Sequence, residues 1–290
     1  MKYKQVSPAK INLFLRVVGK RSDGYHELIS LMCPVSLYDR ITIQFQTSTM
    51  QVISNNPSIP DNENNLAYQA AIKFFNAIDS RDCINIAIEK NIPVGAGLGG
   101  GSSNAATVLM ALNQWYQSPL SHEKLQQIAL SLGADVPFFL QKSTALATGI
   151  GECLYPLDLD IKQSLIILYP GFSISTAWAF KNFKIPLTKK KLDDIKTVLI
   201  SRYKSSQDAY WMTDIHNDLE MSVFSHYPIL SEIKKMMLGL GADQSVMSGS
   251  GSSIVGIFSD TTSCYKACKQ LNLKEQWQAN VCHVTNTIHV

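Results

Sequence analysis

Fifteen consecutive residues, Pro93 to Thr107, carry the densest chemistry in this chain. They read P-V-G-A-G-L-G-G-G-S-S-N-A-A-T and hold five of the sixteen glycines. An alternating apolar run (Ile84, Ile86, Ile88) precedes them and a helical apolar pattern (Ala105, Ala106, Leu109, Leu112) follows, which reads as strand, loop, helix. Glycine lets the backbone turn tightly and approach a ligand closely, and Ser102 or Ser103 can cap the helix. Free N–H groups at a helix start, reinforced by the macrodipole, suit a phosphate. Three consecutive glycines before a helix cost stability, so a ligand is expected to account for them.

Two familiar phosphate loops do not fit. Gly95, Gly97 and Gly100 satisfy G-x-G-x-x-G, but a dinucleotide fold wants an acidic residue about 20 positions on, where this chain has Trp115-Tyr116-Gln117-Ser118-Pro119. A Walker A loop ends in Gly-Lys-Ser/Thr, whereas this one ends in Gly-Ser-Ser. The loop is of a third type.

Two residues far apart in the chain have the types for group transfer. Lys10 lies in an alternating strand that puts Ile11, Leu13, Leu15 and Val17 on one face and Lys10, Asn12 and Phe14 on the other. Asp135 directly precedes Val136-Pro137-Phe138-Phe139, an unusual setting for a surface acid. It can cap the helix that Pro137 opens, a role compatible with catalysis. A second glycine-serine run, Met247 to Ser253, leads into an apolar strand and reads either as a flexible turn or as a further backbone cradle for phosphate.

The elements that position these residues follow from pattern. Ile41, Ile43 and Phe45 suggest a strand, and Leu66, Ala70, Phe74 and Ile78 form a helical face after a turn-rich stretch from Pro57 to Asn65. Ser121 starts an amphipathic helix that Gly133 stops. Leu165 to Tyr169 reads as a buried strand, and a helix carrying Trp178 and Phe180 begins at Ser175 or Thr176. Further helices are expected over Leu192 to Tyr203, Ile215 to Phe224, Ile229 to Leu240 and Tyr265 to Leu271, and strands around Trp277, Val281 and Val284. The polar loop Gly19 to Glu27 sets Tyr25 beside His26. It reads as a lid or base-binding edge, or as a solvent loop in which Tyr25 packs and His26 is idle.

Composition narrows the class. With 290 residues, 46% hydrophobic and 17% charged, two lobes are expected, divided between residues 155 and 156. The net charge of +3 is small and the basic residues are scattered, apart from Lys189-Lys190-Lys191, which reads as a solvated helix start; a nucleic-acid stripe is not expected. Six irregularly spaced cysteines without a C-x-x-C pair point to reduced, mostly buried thiols and no zinc site. Lys10 and Arg16 interrupt the first apolar stretch, and no run approaches a membrane span, so a cytoplasmic protein is expected.

Taken together, Pro8-Ala9-Lys10-Ile11-Asn12-Leu13, the Pro93 to Thr107 loop and Met247 to Ser253 resemble, in order, the three signature segments of the GHMP small-molecule kinases. Asp23 to Glu27 and Gly133 to Phe139 resemble the branch of that family whose acceptor is a cytidine diphosphate polyol of the non-mevalonate isoprenoid route. The resemblance implies an α+β, two-lobed GHMP kinase fold. An ATP-binding lobe of residues 1–155 and a mixed α/β lobe of residues 156–290 would flank the active-site cleft.

It also implies roles. Lys10 and Asp135 match the catalytic pair, as charge stabiliser and base. Pro93, Gly95, Gly97, Leu98, Gly99, Gly100, Gly101, Ser102 and Ser103 match the nucleotide loop. Asn12, Tyr25, His26, Thr176 and Phe180 match substrate positions, with Tyr25 and Phe180 stacking on the cytosine and His26 reading its edge. Phosphoryl transfer asks the protein mainly to align two oxygens and neutralise charge, with ATP as cosubstrate and Mg2+ bound through Ser102 or Ser103, or through phosphate oxygens and water, since no carboxylate ligand stands out. His216-Asn217-Asp218-Leu219-Glu220 resembles a further family segment, expected to pack a helix beneath the site. A monomer or weak homodimer is expected. A mevalonate or homoserine kinase would share the ATP loop but has no base to stack, and a nucleotide sensor without catalysis would have no use for both Lys10 and Asp135.

Overall fold

The computed structural model describes residues 2–141, 143–184, 192–205, 210–271 and 273–285, so Lys189 to Lys191 lie outside the described residues. β1 (Lys2–Lys20) and β2 (His26–Thr47) form one long antiparallel hairpin, with Leu28 to Met32 and Ile41 to Phe45 on the same strand. The chain continues through β3 (Gln51–Ser54), α1 (Leu66–Ala77), β4 (Cys83–Glu89), α2 (Gly100–Trp115), α3 (His122–Leu132), α4 (Val136–Gln141), β5 (Ala145–Gly149) and β6 (Cys153–Pro156). Next come β7 (Ser164–Tyr169), α5 (Thr176–Lys181), α6 (Leu192–Ser205), β8 (His216–Asn217), α7 (Glu220–His226) and α8 (Pro228–Gly239). β9 (Gln244–Met247), β10 (Ile254–Phe258), α9 (Thr261–Gln270) and β11 (Gln278–His283) complete it.

The first sheet runs β3-β4-β2-β1-β8. β2 changes neighbour midway, pairing β5 through Leu28 to Met32 and β4 through Arg40 to Thr47, and β6 extends from β5. The second sheet runs β11-β7-β10-β9. α1 to α4 bury their apolar stripes with the first sheet, where Phe74 and Phe138 are wholly enclosed. Each such side chain is worth about 1.5–3 kcal/mol of burial. α7, α8 and α9 cover the outer face of the second sheet, and a third apolar cluster fills the space between the sheets.

Simple alternation fails inside β1. The strand is buried continuously from Ser7 to Leu15, and a bulge falls between Asn12 and Phe14. One extra residue resets the facing of everything beyond it. Phe14, expected beside Lys10 and Asn12, instead joins Ile11 and Leu13 between the sheets, while Leu15 and Val17 pass to the outer cluster of the second sheet. Other corrections are local. α2 begins at Gly100 behind a left-handed Gly99, so Ser102 and Ser103 lie within its first turns and cap nothing. The helix expected from Ile215 is a two-residue strand followed by α7, and Val284 forms only an isolated bridge with Val35. α3 keeps its Ser121 cap and Gly133 stop. All six cysteines are free, with Cys33, Cys264 and Cys282 buried but Cys153 exposed. Among the described residues no helix is long and apolar enough to cross a membrane.

A buried polar knot fixes α2 to the sheet. The Asp39 carboxylate, fully enclosed, accepts from the Lys90 ammonium, from the backbone N–H groups of Asn91 (2.8 Å) and Ile92 (2.9 Å), and from Asn104 Nδ2 (2.9 Å). Asn104 also donates to Ser7 Oγ (2.9 Å), which itself donates to Ser103 Oγ (2.8 Å). Removing one member of a buried ion pair strands the other, a loss of roughly 3–5 kcal/mol. Asp39→Ala is therefore expected to lower unfolding free energy by about that amount in urea titration; a loss under about 1 kcal/mol would mean that Lys90 finds water or another acceptor instead.

Candidate active site

The strand carrying Lys10 and the glycine loop meet backbone to backbone, with the Lys10 N–H donating to the Leu98 carbonyl at 3.0 Å. Gly97 and Gly99 occupy the left-handed region at φ 78° and 68°. A Cβ at Gly97 would lie 2.1 Å from the Ser248 carbonyl oxygen, and one at Gly99 would press on Phe139 and the Lys10 stem at 3.0 and 3.1 Å. These glycines answer a steric demand, because another loop and another helix occupy the space a side chain needs. No side chain caps α2, which leaves its first N–H groups for a ligand.

Lys10 is 4% exposed. Its ammonium donates to Asn12 Oδ1 at 2.7 Å and lies 3.5 Å from Asp135 Oδ2, whose side chain keeps 38% of its surface open. Burial of an ammonium is tolerated only with such partners. Asn12 is held in turn: its Nδ2 donates to Ser30 Oγ (2.8 Å), and its backbone N–H donates to Ser248 Oγ (3.2 Å). Ser248 Oγ then donates to the Gly97 carbonyl at 3.0 Å. The strand, the first glycine loop and the second glycine-serine run are thus stitched at one point. Asp135, a possible cap for α4 by its position, has its carboxylate directed to the Lys10 ammonium.

The site is a cleft of two joined cavities. An inner one of about 520 Å³ is lined by Lys10, Asn12, Asp135, the glycine loop, Lys90 and Gly249. An outer one of about 760 Å³ is lined by Lys20, Tyr25, His26, Lys181 and Phe183. Leu28, Ala134, Ile150, Thr176 and Phe180 line both. Thr176 Oγ1 shares a 2.9 Å hydrogen bond with Ser250 Oγ, tying α5 to the second glycine-serine run.

The sequence-selected residues divide in their placement. Pro93, Gly95, Gly97, Gly99, Gly100, Gly101 and Ser102 border the inner cavity. Leu98 and Ser103 do not: the Leu98 side chain packs in the core between the sheets, and Ser103 is buried with its hydroxyl bound to Ser7. In the outer cavity the ring against Phe180 is His26, with centroids 5.4 Å apart and planes 24° from parallel, and Phe183 meets His26 edge-on at 6.0 Å. Tyr25 stands at the rim, 61% exposed. Trp178 turns away to pack on His226 and Tyr227. Burial and the nearby Lys20 ammonium hold the His26 imidazole below its ordinary titration range, which favours the neutral ring.

Sequence reasoning missed Lys90, Ser30, Phe183 and Ile150. Lys90 alone had a signal, a charge closing an apolar strand immediately before the glycine loop. Among the described residues no three His, Cys, Asp or Glu side chains gather as a metal would require, so a divalent cation here would draw on phosphate oxygens and water, with Ser102 one hydroxyl on the cleft wall at the start of α2.

The chain matches the family GHMP kinases N terminal domain over residues 65–143 and GHMP kinases C terminal over residues 207–274. It is 42% identical over 275 residues to the 4-diphosphocytidyl-2-C-methyl-D-erythritol kinase of Syntrophotalea carbinolica, covering 94% of this chain and 96% of that one. A crystal structure of 4-(cytidine 5'-diphospho)-2C-methyl-D-erythritol kinase superposes with a TM-score of 0.78 at 33% identity, over 98% of this chain and all of the other. Homoserine kinase from Cytophaga hutchinsonii shares the fold at 16% identity, with a TM-score of 0.74 over 99% of this chain and 96% of that one.

Gly97→Ala forces a methyl group into the Ser248 carbonyl and tests whether the two loops must touch. Nucleotide affinity is expected to fall at least about tenfold, the counterpart of roughly 1.4 kcal/mol, in a fluorescence titration, with the far-ultraviolet circular dichroism unchanged. Undiminished affinity would show that the loop contact does not shape the nucleotide site.

Proposed function

The chain belongs to the 4-diphosphocytidyl-2-C-methyl-D-erythritol kinases of the GHMP family, and on that premise we propose that it transfers the γ-phosphate of ATP to the 2-hydroxyl of 4-diphosphocytidyl-2-C-methyl-D-erythritol, in the non-mevalonate route to isoprenoid precursors. The observation that carries this reading is the 3.5 Å approach of the Lys10 ammonium to the Asp135 carboxylate on the wall of the inner cavity.

Asp135 accepts the proton of the acceptor hydroxyl as its oxygen attacks the γ-phosphorus. The bond to the β,γ-bridging oxygen breaks, and ADP departs with that electron pair. A positioned base of this kind contributes roughly 10²–10⁴-fold. Lys10 compensates negative charge on the moving phosphoryl group. Because Asn12 fixes its ammonium in advance, little reorganisation is needed at the moment of transfer. The first turn of α2 and the loop from Gly95 to Gly101 receive the triphosphate. Ser102, on the wall of the inner cavity, would offer one protein oxygen to a Mg2+ ion bound with the ATP, and the ion would supply further neutralisation of phosphate charge.

The outer cavity suits the cytidine end. Phe180 offers a flat face and a neutral His26 an edge that can both donate and accept, the combination that holds a single base. Tyr25, free at the rim, can close on the opposite face once the base displaces the His26 ring from Phe180. The lobes are divided between residues 155 and 156, at the end of β6 and before β7 opens the second sheet at Ser164, with β8 returning from the second half to the edge of the first sheet.

A coupled ADP-release assay tests the acceptor directly. Turnover is expected with the diphosphocytidyl polyol and not with mevalonate or homoserine; the reverse preference would overturn the proposal. Tyr25→Ala is expected to raise KM for the cytidine substrate while leaving KM for ATP within about twofold, and equal rises in both would make Tyr25 structural. Asp135→Asn is expected to lower kcat by about 10²–10⁴-fold with ATP affinity retained. An active Asn variant would remove Asp135 from proton transfer.

A further inference from the structure

Asn217 is 2% exposed and makes three hydrogen bonds to backbone. Its Nδ2 donates to the carbonyls of Met247 and Gly249, both at 2.7 Å, and its Oδ1 accepts from the Leu219 N–H at 2.9 Å. It sits on β8, whose two residues pair in parallel with Phe14 and Leu15 of β1, a short distance along the strand from Lys10 and Asn12. One amide therefore spans from that strand to both ends of the Met247-Ser248-Gly249 turn.

What the turn touches gives the amide its importance. A Cβ at Gly249 would come within 3.2 Å of Asn12 Oδ1, 3.3 Å of the Gly97 carbonyl and 3.5 Å of the Lys10 ammonium. Ser248, the residue between the two clamped carbonyls, bonds both Asn12 and Gly97. The neighbours of Asn217 reinforce the grip. Asp218 Oδ2 accepts from the Val17 N–H at 2.8 Å, and Glu220, paired with Lys234, accepts from the Met247 N–H at 2.8 Å. A backbone turn on positive-φ glycine has little conformational preference of its own, so its position rests on these contacts.

We propose that Asn217 is a positioning residue for phosphoryl transfer: by holding the Met247 and Gly249 carbonyls it presses the second glycine-serine run against the Lys10–Asn12 pair and fixes the Lys10 ammonium relative to the glycine loop. Asn217 acts through that run and touches no reacting atom. Its place in turnover rests on the kinase reading above, while the clamp itself does not.

Asn217→Asp separates the two functions of the side chain, since it keeps an oxygen for the Leu219 N–H and replaces the two donors. With Asn217→Ala as the second variant, amide hydrogen exchange at Ser248 to Gly251 is expected to accelerate in both, with β7 and β10 unchanged. In the phosphoryl-transfer assay kcat is expected to fall roughly 10–100-fold, the cost of a misplacement of about 1 Å, while KM for either substrate moves less than about threefold. Unchanged exchange at Ser248 to Gly251 overturns the proposal, as does unchanged kcat, or a kcat loss that merely tracks the folded fraction measured by circular dichroism. If the wild-type protein turns over no cytidine substrate, the functional reading fails separately; exchange in the variants then decides the clamp, which stands if exchange at Ser248 to Gly251 rises and is overturned if it does not.

Discussion

The site depends on an ammonium withdrawn from water. Lys10 keeps 4% of its surface, and moving a charge out of water costs several kcal/mol unless neighbouring groups replace the solvent. Asn12 supplies a short hydrogen bond and Asp135 a charge at slightly longer range. Neither alone would suffice, and neither is near the other in sequence. The fold must therefore bring a strand from the first twelve residues to the helix that follows Asp135 and close two glycine runs around the junction. Asp135 keeps its open side on the inner cavity.

Backbone does most of the closing. The Leu98 carbonyl takes the Lys10 N–H, the Gly97 carbonyl takes Ser248 Oγ, and the Met247 and Gly249 carbonyls take Asn217. Side chains at Gly97 or Gly99 would hold these loops apart. Beneath them, the Asp39 knot anchors the start of α2 to β1, β2 and the end of β4 through groups of which Lys90 alone borders the cleft. The part of the cleft wall that the glycine runs form is thus made of peptide groups, and polar side chains behind it set where those groups stand.

Much of this was legible in the residues. The glycine loop declared itself by composition, α3 by Ser121 and Gly133, and the Lys10–Asn12 face by alternation. What failed to show were features whose cause is tertiary. The bulge at Leu13 breaks alternation without any glycine or proline to mark it, and β8 is two residues that have no strand character apart from their pairing with β1. Asp39 and Asn217 look like ordinary polar residues until distant backbone donors and acceptors close on them. The placement of His26 against Phe180 likewise arises from α5 meeting the β1–β2 turn, which no local pattern encodes.

The bulge in β1 reaches further than facing. Phe14 belongs to the cluster shared by the two sheets, and its neighbour Leu15 to the cluster behind the second sheet, so adjacent residues of one strand help build two interiors. The shared cluster also draws Ile11, Val35 and Leu146 from one sheet and Leu165, Val246 and Val255 from the other. A chain divided between β6 and β7 would yield fragments each lacking half of a common interior, with the strand that bears Lys10 stripped on one side. Recombining halves from two relatives at that point would succeed only where both sides of the seam were inherited together, which makes the pair of lobes a single unit of exchange.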